Sequence, residues 1–246
     1  MSDDEVKTMI AASTSADNPY SLRPSTTGHQ AWTEGDGAAA QTNPTRTSEN
    51  GFDLSSSAAT AVMRRAFKLL RIKRYDQSMV DGVQVLRYEQ KQAYIAHTDW
   101  FEKYTSDDHN WDPRAKGSNR FATVFLYLSD VKEGGQTVFP LADRPKDRGN
   151  SSEALAQATE VPDTASKLFS KGSWEHKLVQ QCYRKLAITP KKGSAILFYS
   201  QLPDGTLDPL SLHGACPVLQ GTKWAGNLWV WNACRRTMCD ARWTQD

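Results

Sequence analysis

The sequence predicts a mainly β chain with flanking helices, an α+β arrangement around a double-stranded β-helix (jelly-roll) core. Three observations carry that expectation. From Val83 onward, short β-branched and aromatic runs are separated by turn residues, at a spacing that yields eight strands. Before Val83, one stretch repeats apolar residues at helical spacing, which suits a helix bracing a sheet from outside. Turns such as Glu133-Gly134-Gly135 and Lys191-Lys192-Gly193 punctuate the runs where positive φ is wanted.

Taken in order, residues 2–12 are expected to form a short helix with Val6, Met9 and Ile10 on one side. Residues 13–50, rich in Ser, Thr, Gly, Asn and Pro, read as loop. Asp53-Leu54-Ser55-Ser56 can cap the next helix, because their side-chain oxygens satisfy its free amides. Ala59, Val62, Met63, Ala66, Phe67 and Leu70 then form one apolar face, with Arg64, Arg65, Lys68 and Arg71 largely elsewhere. Strands are expected at 83–89, 93–98, 121–128, 136–139, 184–189, 194–199, 211–215 and 223–232. Residues 141–181 have few large apolar groups before Leu168-Phe169 and Trp174, so they read as a polar surface insertion with a helix at 152–158. The whole chain, 1–246, is read as one domain: helical and loop support over 1–82, core over 83–232, and a cysteine-containing tail over 233–246. No internal repeat is evident.

A length of 246 residues is enough to bury a sizeable core. Thirty basic and 28 acidic side chains give a formal +2 without a dominant block, so nothing calls for nucleic acid or a membrane surface as partner. The longest apolar runs, Ala195 to Tyr199 and Leu228 to Trp231, are too short to span a bilayer, and no stable membrane insertion is expected. Met1-Ser2-Asp3-Asp4-Glu5 is acidic with no signal-peptide core behind it, which read literally means cytosol. Cys182, Cys216, Cys234 and Cys239 allow two disulfides in three connectivities. Without a Cys-x2-Cys pair, structural or paired cysteines are favoured over zinc, which supports an oxidising compartment.

The chemistry gathers around His97-Thr98-Asp99. In a strand, successive side chains alternate faces, so His97 and Asp99 project the same way. His213 on a facing strand would complete a 2-His-1-carboxylate triad, the ligand set of non-haem Fe(II) oxygenases, whose open face admits a chelating co-substrate and O2. Lys223, ten residues after His213, could neutralise the far carboxylate of a dicarboxylic co-substrate. Each residue alone has an ordinary reading: a satisfied strand histidine, a turn cap, a buried hydrogen-bonding group, a surface lysine. Their joint placement favours ligation. His29, His109 and His176 lie in polar loops without a partner and read as solvated.

The surrounding residues resemble the prolyl 4-hydroxylase branch of the Fe(II)/2-oxoglutarate dioxygenases. The similarity runs from Arg46-Thr47-Ser48 through Val83-Gln84-Val85-Leu86-Arg87-Tyr88-Glu89 and Tyr94 to His97-Thr98-Asp99-Trp100-Phe101. It continues in Arg120-Phe121-Ala122-Thr123, Tyr127-Leu128-Ser129-Asp130, Glu133-Gly134-Gly135-Gln136-Thr137-Val138-Phe139-Pro140, His213-Gly214-Ala215-Cys216-Pro217-Val218 and Gly221-Thr222-Lys223-Trp224. The resemblance implies hydroxylation of peptidyl proline at C4, with 2-oxoglutarate and O2 consumed and succinate and CO2 released. It implies that His97, Asp99 and His213 hold Fe(II) and carry the chemistry. Lys223, Tyr88 and Thr123 would hold the far carboxylate of 2-oxoglutarate, and L-ascorbate would rescue over-oxidised iron. Tyr94, Arg120 and Trp229 would line a groove for a proline-rich peptide or protein, since aromatic grooves suit polyproline II. Their ordinary readings are core packing for the aromatics and an ion pair for Arg120. Gly28–Ser48 and Trp100–Asn119 are candidate closing loops. Trp32, Trp111 and Trp174 have no such correspondence. The family usually has strands before the segment resembling Ser2 to Glu5, so the chain is expected to begin partway into the fold. Its location would be the endoplasmic reticulum or secretory pathway. Two alternatives stay open: a dioxygenase acting on another peptide residue or a small molecule, and a jelly-roll binding module without chemistry. Oligomeric state is not set by the sequence.

Overall fold

In the computed structural model, which describes residues 1–25, 45–102, 118–143 and 160–234, the first helix, α1 (Asp3–Thr14), starts with a capping box. Ser2 Oγ accepts from the Glu5 amide at 3.2 Å, and the Glu5 carboxylate accepts from the Ser2 amide at 2.9 Å. Two otherwise orphaned donors are thereby satisfied. The stretch expected to be loop over 13–50 contains one short strand, β1 (Arg23–Pro24), and the first two residues of a second, β2 (Glu49–Asp53). Asn50-Gly51 hides the second one, because a glycine breaks the alternation that marks a strand. Gly51 is needed for close approach: a Cβ there would lie 2.9 Å from the Leu22 amide nitrogen.

Helix α2 (Ser57–Leu69) follows the capping expectation, with Ser56 Oγ accepting from the Ala59 amide at 3.1 Å. Its face of Ala59, Val62, Met63, Ala66 and Phe67 is buried. The strands after it are β3 (Val83–Tyr88), β4 (Tyr94–His97), β5 (Arg120–Tyr127), β6 (Glu133–Gly134) and β7 (Thr137–Phe139). Two helices come next, α3 (Asp163–Leu168) and α4 (Trp174–Arg184). The chain then forms β8 (Leu186–Ile188), β9 (Ala195–Tyr199), β10 (His213–Ala215), β11 (Val218–Gln220) and β12 (Lys223–Trp231).

The larger sheet has the order β1-β2-β3-β12-β5-β9 and the smaller β4-β10-β7-β8, every described pairing being antiparallel. The chain passes back and forth between β3-β12-β5-β9 and β4-β10-β7-β8, four strands facing four, which is the expected double-stranded β-helix. β6 and β11 form a separate ribbon, where Gly134 has φ +79° and a Cβ would lie 2.3 Å from the Pro217 carbonyl oxygen.

Strand alternation divides the core. On β12, Leu228 and Val230 face outward and pack with Val83, Val85, Val124 and Leu126 beneath α1 and α2. Ala225 faces the barrel interior with Leu86, Tyr88, Phe125 and Tyr127, and Lys223 shares its strand face. A third cluster covers the outside of the smaller sheet, and it corrects the reading of 141–181 as a polar excursion. α3 and α4 bring Ala165, Phe169, Leu178, Val179, Cys182 and Tyr183 against Val138 and Ala187. The apolar residues of α4 are interleaved with Glu175, His176, Lys177, Gln180 and Gln181, which dilutes the composition while leaving one apolar face. His176 therefore lies on a helix, not in a loop. α4 runs to Arg184, so the strand expected from 184 begins at Leu186. A disulfide joins Cys182 of α4 to Cys216, three residues past His213, and excludes two of the three connectivities. The helix expected at 152–158, most of both candidate closing loops, His29, His109, Trp32, Trp111 and Cys239 lie outside the described residues.

Candidate metal and co-substrate site

Antiparallel pairing of β10 with β4 sets His213 directly opposite His97, and Asp99 follows two residues beyond the end of β4. One ligand atom from each of His97, Asp99 and His213 lies within 4.8 Å of the others. His213 Nε2 is 3.6 Å from Asp99 Oδ2. His97 Nδ1 is 2.9 Å from the Ile95 carbonyl oxygen, and His213 Nδ1 is 2.9 Å from that of Ser211. A carbonyl only accepts, so each Nδ1 carries a proton and Nε2 is the ring nitrogen that can serve as the ligand atom. Burial and the neighbouring His213 push His97 down to about 3, which keeps its imidazole neutral. Burial alone would raise the Asp99 carboxyl. His213, His97, Arg120 and a hydrogen bond from Thr123 outweigh it and hold the group below the usual carboxylate range. The site is two imidazoles and one carboxylate converging on a point.

Thr123 stands elsewhere than expected. Its hydroxyl donates to Asp99 Oδ2 at 2.7 Å. It pairs across the sheet with Trp229, six residues along β12 from Lys223, a separation of roughly 20 Å at about 3.3 Å per residue. Thr123 thus orients the carboxylate of the triad and does not sit beside Lys223. Matching β5 against β12 residue by residue would have revealed this, but the register is not legible without the pairing.

Lys223 is completely buried, and its Nζ has no hydrogen-bond partner. The ammonium lies 5.5, 5.2 and 5.7 Å from the ring centres of Tyr88, Phe125 and Tyr127. Burial pushes it down to about 7. Isolated buried ammonium groups are costly, so this one calls for an anion. Tyr88 lies opposite Lys223 on β3 and is likewise buried. Near the same end, Tyr127 donates to Thr137 Oγ1 at 2.9 Å. One cavity touches Tyr88, Thr137, His97 and His213 together, along with Arg46 and Asn227. Thr137, Tyr127 and Asn227 were missed at the sequence level, where each reads as a plain strand residue. A larger apolar groove of about 750 Å³ between β8 and β9 holds none of the predicted site residues.

The three groove candidates are placed close to the triad. Tyr94 stacks on His97 with ring centres 3.8 Å apart, and the Arg46 guanidinium is 4.7 Å from the Tyr94 ring. Arg46 itself is held beside Tyr94 by a backbone bridge. Arg120 pairs with Asp81 at 3.0 Å and covers the Trp229 ring at 3.6 Å, with Phe101 at 4.8 Å. Trp229 is buried, so both ordinary readings, packing and an ion pair, describe real contacts of these residues.

A jelly roll carrying two histidines and a carboxylate inside, with a buried lone cation behind them, defines the class of iron- and 2-oxo-acid-dependent oxygenases. The family described as the 2OG-Fe(II) oxygenase superfamily matches residues 83–231, and the chain belongs to it. Among relatives, "Probable prolyl 4-hydroxylase 8" of Arabidopsis thaliana is 43% identical over 149 residues, 61% of this chain and 41% of the relative. "Probable prolyl 4-hydroxylase 3" of the same plant is 39% identical over 150 residues, 61% and 42% respectively. The chain therefore spans about two fifths of the length of these relatives. The crystal structure of a viral collagen prolyl hydroxylase from Paramecium Bursaria Chlorella virus-1, in complex with 2OG, shares the fold. Its TM-score is 0.50 at 23% identity, over 77% of this chain and 81% of that one.

Proposed function

We propose that this chain is an Fe(II)- and 2-oxoglutarate-dependent dioxygenase that hydroxylates C4 of peptidyl proline, with succinate and CO2 as co-products. The observation that carries the reading is the pairing of a His97-Asp99-His213 triad with the orphaned ammonium of Lys223 in one barrel interior. A dicarboxylate that chelates a metal at one end and needs a countercharge at the other fits both. The prolyl assignment is supported by relatives named prolyl 4-hydroxylases at 39% and 43% identity.

His97, Asp99 and His213 would hold the iron, which when bound couples oxidative decarboxylation of the 2-oxo acid to oxygen transfer. Lys223 would take the far carboxylate, with Tyr88 at its side. Thr123 keeps Asp99 oriented through its hydrogen bond to Oδ2. Tyr94, Arg120 and Trp229 are the residues we assign to the proline-rich peptide or protein, whose polyproline II form has few ordering costs to meet. L-ascorbate would act as the reductant for idle iron. The Cys182–Cys216 disulfide favours an oxidising compartment such as the endoplasmic reticulum.

The test is succinate release from 2-oxoglutarate with Fe(II), with and without a proline-rich peptide, alongside mass spectrometry of the peptide. Peptide-stimulated release with gain of one oxygen on proline is expected. Release that no proline peptide stimulates would refute the prolyl assignment. No release under any condition would refute the dioxygenase.

A further inference from the structure

Inside the barrel, three carboxamides on adjacent strands form a ladder where apolar packing would be expected. Asn227 Nδ2 donates to Gln84 Oε1 at 3.2 Å, Gln84 Nε2 donates to Asn50 Oδ1 at 3.3 Å, and Asn50 Nδ2 donates to Ser25 Oγ at 2.8 Å. Ser25 Oγ then meets Ser48 Oγ at 2.9 Å, where either can be the donor. All five residues are at least nine-tenths buried. Such a row is costly to bury, and it is complete except at one point: Asn227 Oδ1 has no partner. Asn227 is also the member of the ladder that lines the cavity, together with His97 and His213. The open end of the ladder thus belongs to the site.

The ladder is reversible. Hydroxyls both donate and accept, so the serine pair can end the chain in either sense. Turning over all three carboxamides keeps every bond and brings Asn227 Nδ2 to the cavity. The choice between the two senses falls to whatever occupies the site. An ionised 2-oxo acid offers only acceptors, and it would select the sense in which Asn227 donates.

We infer that Asn227 is a co-substrate contact that donates a hydrogen bond to the 2-oxo-acid end of the dicarboxylate, with Gln84 as the positioning residue behind it. Lys223 is four residues away on the same face of β12, roughly 13 Å along the strand. The two residues are therefore separate contacts, the ammonium for the far carboxylate and the carboxamide for the end nearer the triad. This rests on assigning the cavity to 2-oxoglutarate.

The experiment measures 2-oxoglutarate binding by calorimetry to protein loaded with Zn(II), which is redox-inert, for the parent, Asn227→Leu, Asn227→Thr and Gln84→Met. Zn(II) affinity and melting temperature are recorded for each. A hydrogen bond to a charged group predicts roughly ten-fold or greater weakening in Asn227→Leu. Asn227→Thr restores a donor and should recover part of the loss. Gln84→Met, which cannot touch the ligand, should weaken binding by a smaller factor. Zn(II) affinity should stay within a few-fold of the parent throughout. If Asn227→Leu lowers the melting temperature but binds 2-oxoglutarate within two-fold of the parent, the ladder is only structural and the inference fails. Loss of Zn(II) in step with 2-oxoglutarate also overturns it. Should Asn227→Leu not fold, Asn227→Thr and Gln84→Met decide, and parental affinity in both refutes the contact. A parent that binds Zn(II) but no 2-oxoglutarate would instead remove the co-substrate assignment itself.

Discussion

Replacing Lys223 with Met should make the protein more stable and a worse 2-oxoglutarate binder at once. The ammonium is fully buried with no hydrogen-bond partner, and burial holds it near 7 where 10.5 is ordinary. That depression corresponds to roughly 5 kcal/mol against the folded state at neutral pH, as an order of magnitude. The folded value lies below the unfolded one, so between pH about 7 and 10.5 the unfolded chain binds the extra proton. The penalty is therefore complete only below pH about 7, and stability recovers as pH rises through 7 towards 10.5. Methionine keeps the length of the side chain without the charge. Replacements of buried charges by apolar groups commonly gain about 1–4 kcal/mol, and a chain of this size gains about 2–4 °C per kcal/mol.

Differential scanning fluorimetry of parent and variant at several pH values should show a higher Tm for Lys223→Met at pH 7 and a gap that closes towards pH 10.5. Calorimetry should show the opposite effect on binding. Removing one partner of a buried charge pair costs about 2–5 kcal/mol, or roughly thirty-fold or more in the Kd for 2-oxoglutarate. A variant less stable than the parent at pH 7, or one with unchanged 2-oxoglutarate affinity, would refute the argument that this lysine is held without a countercharge for a carboxylate.

Asp99→Ala should abolish Fe(II)-dependent turnover while leaving the far-UV circular dichroism unchanged, since only the anionic ligand is lost. Thr123→Val removes the 2.7 Å hydrogen bond to Asp99, and titration should show metal affinity falling about ten-fold or more with the 2-oxoglutarate Kd of the loaded protein little altered. Substituting both Cys182 and Cys216 with Ser frees α4 from the strand that carries His213. Denaturant unfolding should then show a loss of about 2–4 kcal/mol for a bridge spanning 34 residues. Tyr94→Ala strips the ring stacked on His97. Peptide-dependent succinate release should fall about ten-fold, while peptide-independent release largely survives.

The parts of this fold that were legible in the sequence are those where one face of an element is apolar and its period is unbroken. α2 announces itself through Ala59, Val62, Met63, Ala66 and Phe67, and all five are buried. β3, β5 and β12 announce themselves as long apolar and aromatic runs because both sheet faces are covered: helices lie outside and the barrel core inside. β2 was illegible because Gly51 serves a close backbone approach, and a glycine has no side chain to mark a face. α3 and α4 were illegible because charged and amide residues outnumber their apolar stripe, and the small sheet that needs covering cannot be seen in one dimension.

The site divides along the same line. His97, Asp99, His213 and Lys223 could be read because their residue types and order suggest a ligand set and a countercharge, although β4 ends at His97 and Asp99 lies in the bend after it, beyond the reach of strand alternation. Thr123 was misplaced because its partner is decided by the β5–β12 register, which only the folded chain specifies. Tyr94 and Trp229 could be picked out as aromatics near the site, but their contacts with His97 and Arg120 depend on rotamers. Asn50, Gln84 and Asn227 are the most telling case. In a strand whose faces are both buried, a polar residue breaks the pattern and weakens the strand reading locally. Three such breaks on three neighbouring strands turn out to be one hydrogen-bonded row that ends in the cavity. A buried polar residue in an otherwise apolar strand is thus informative only jointly with its neighbours. In this barrel, the same β12 face holds an unpartnered Lys223 Nζ and an unpartnered Asn227 Oδ1.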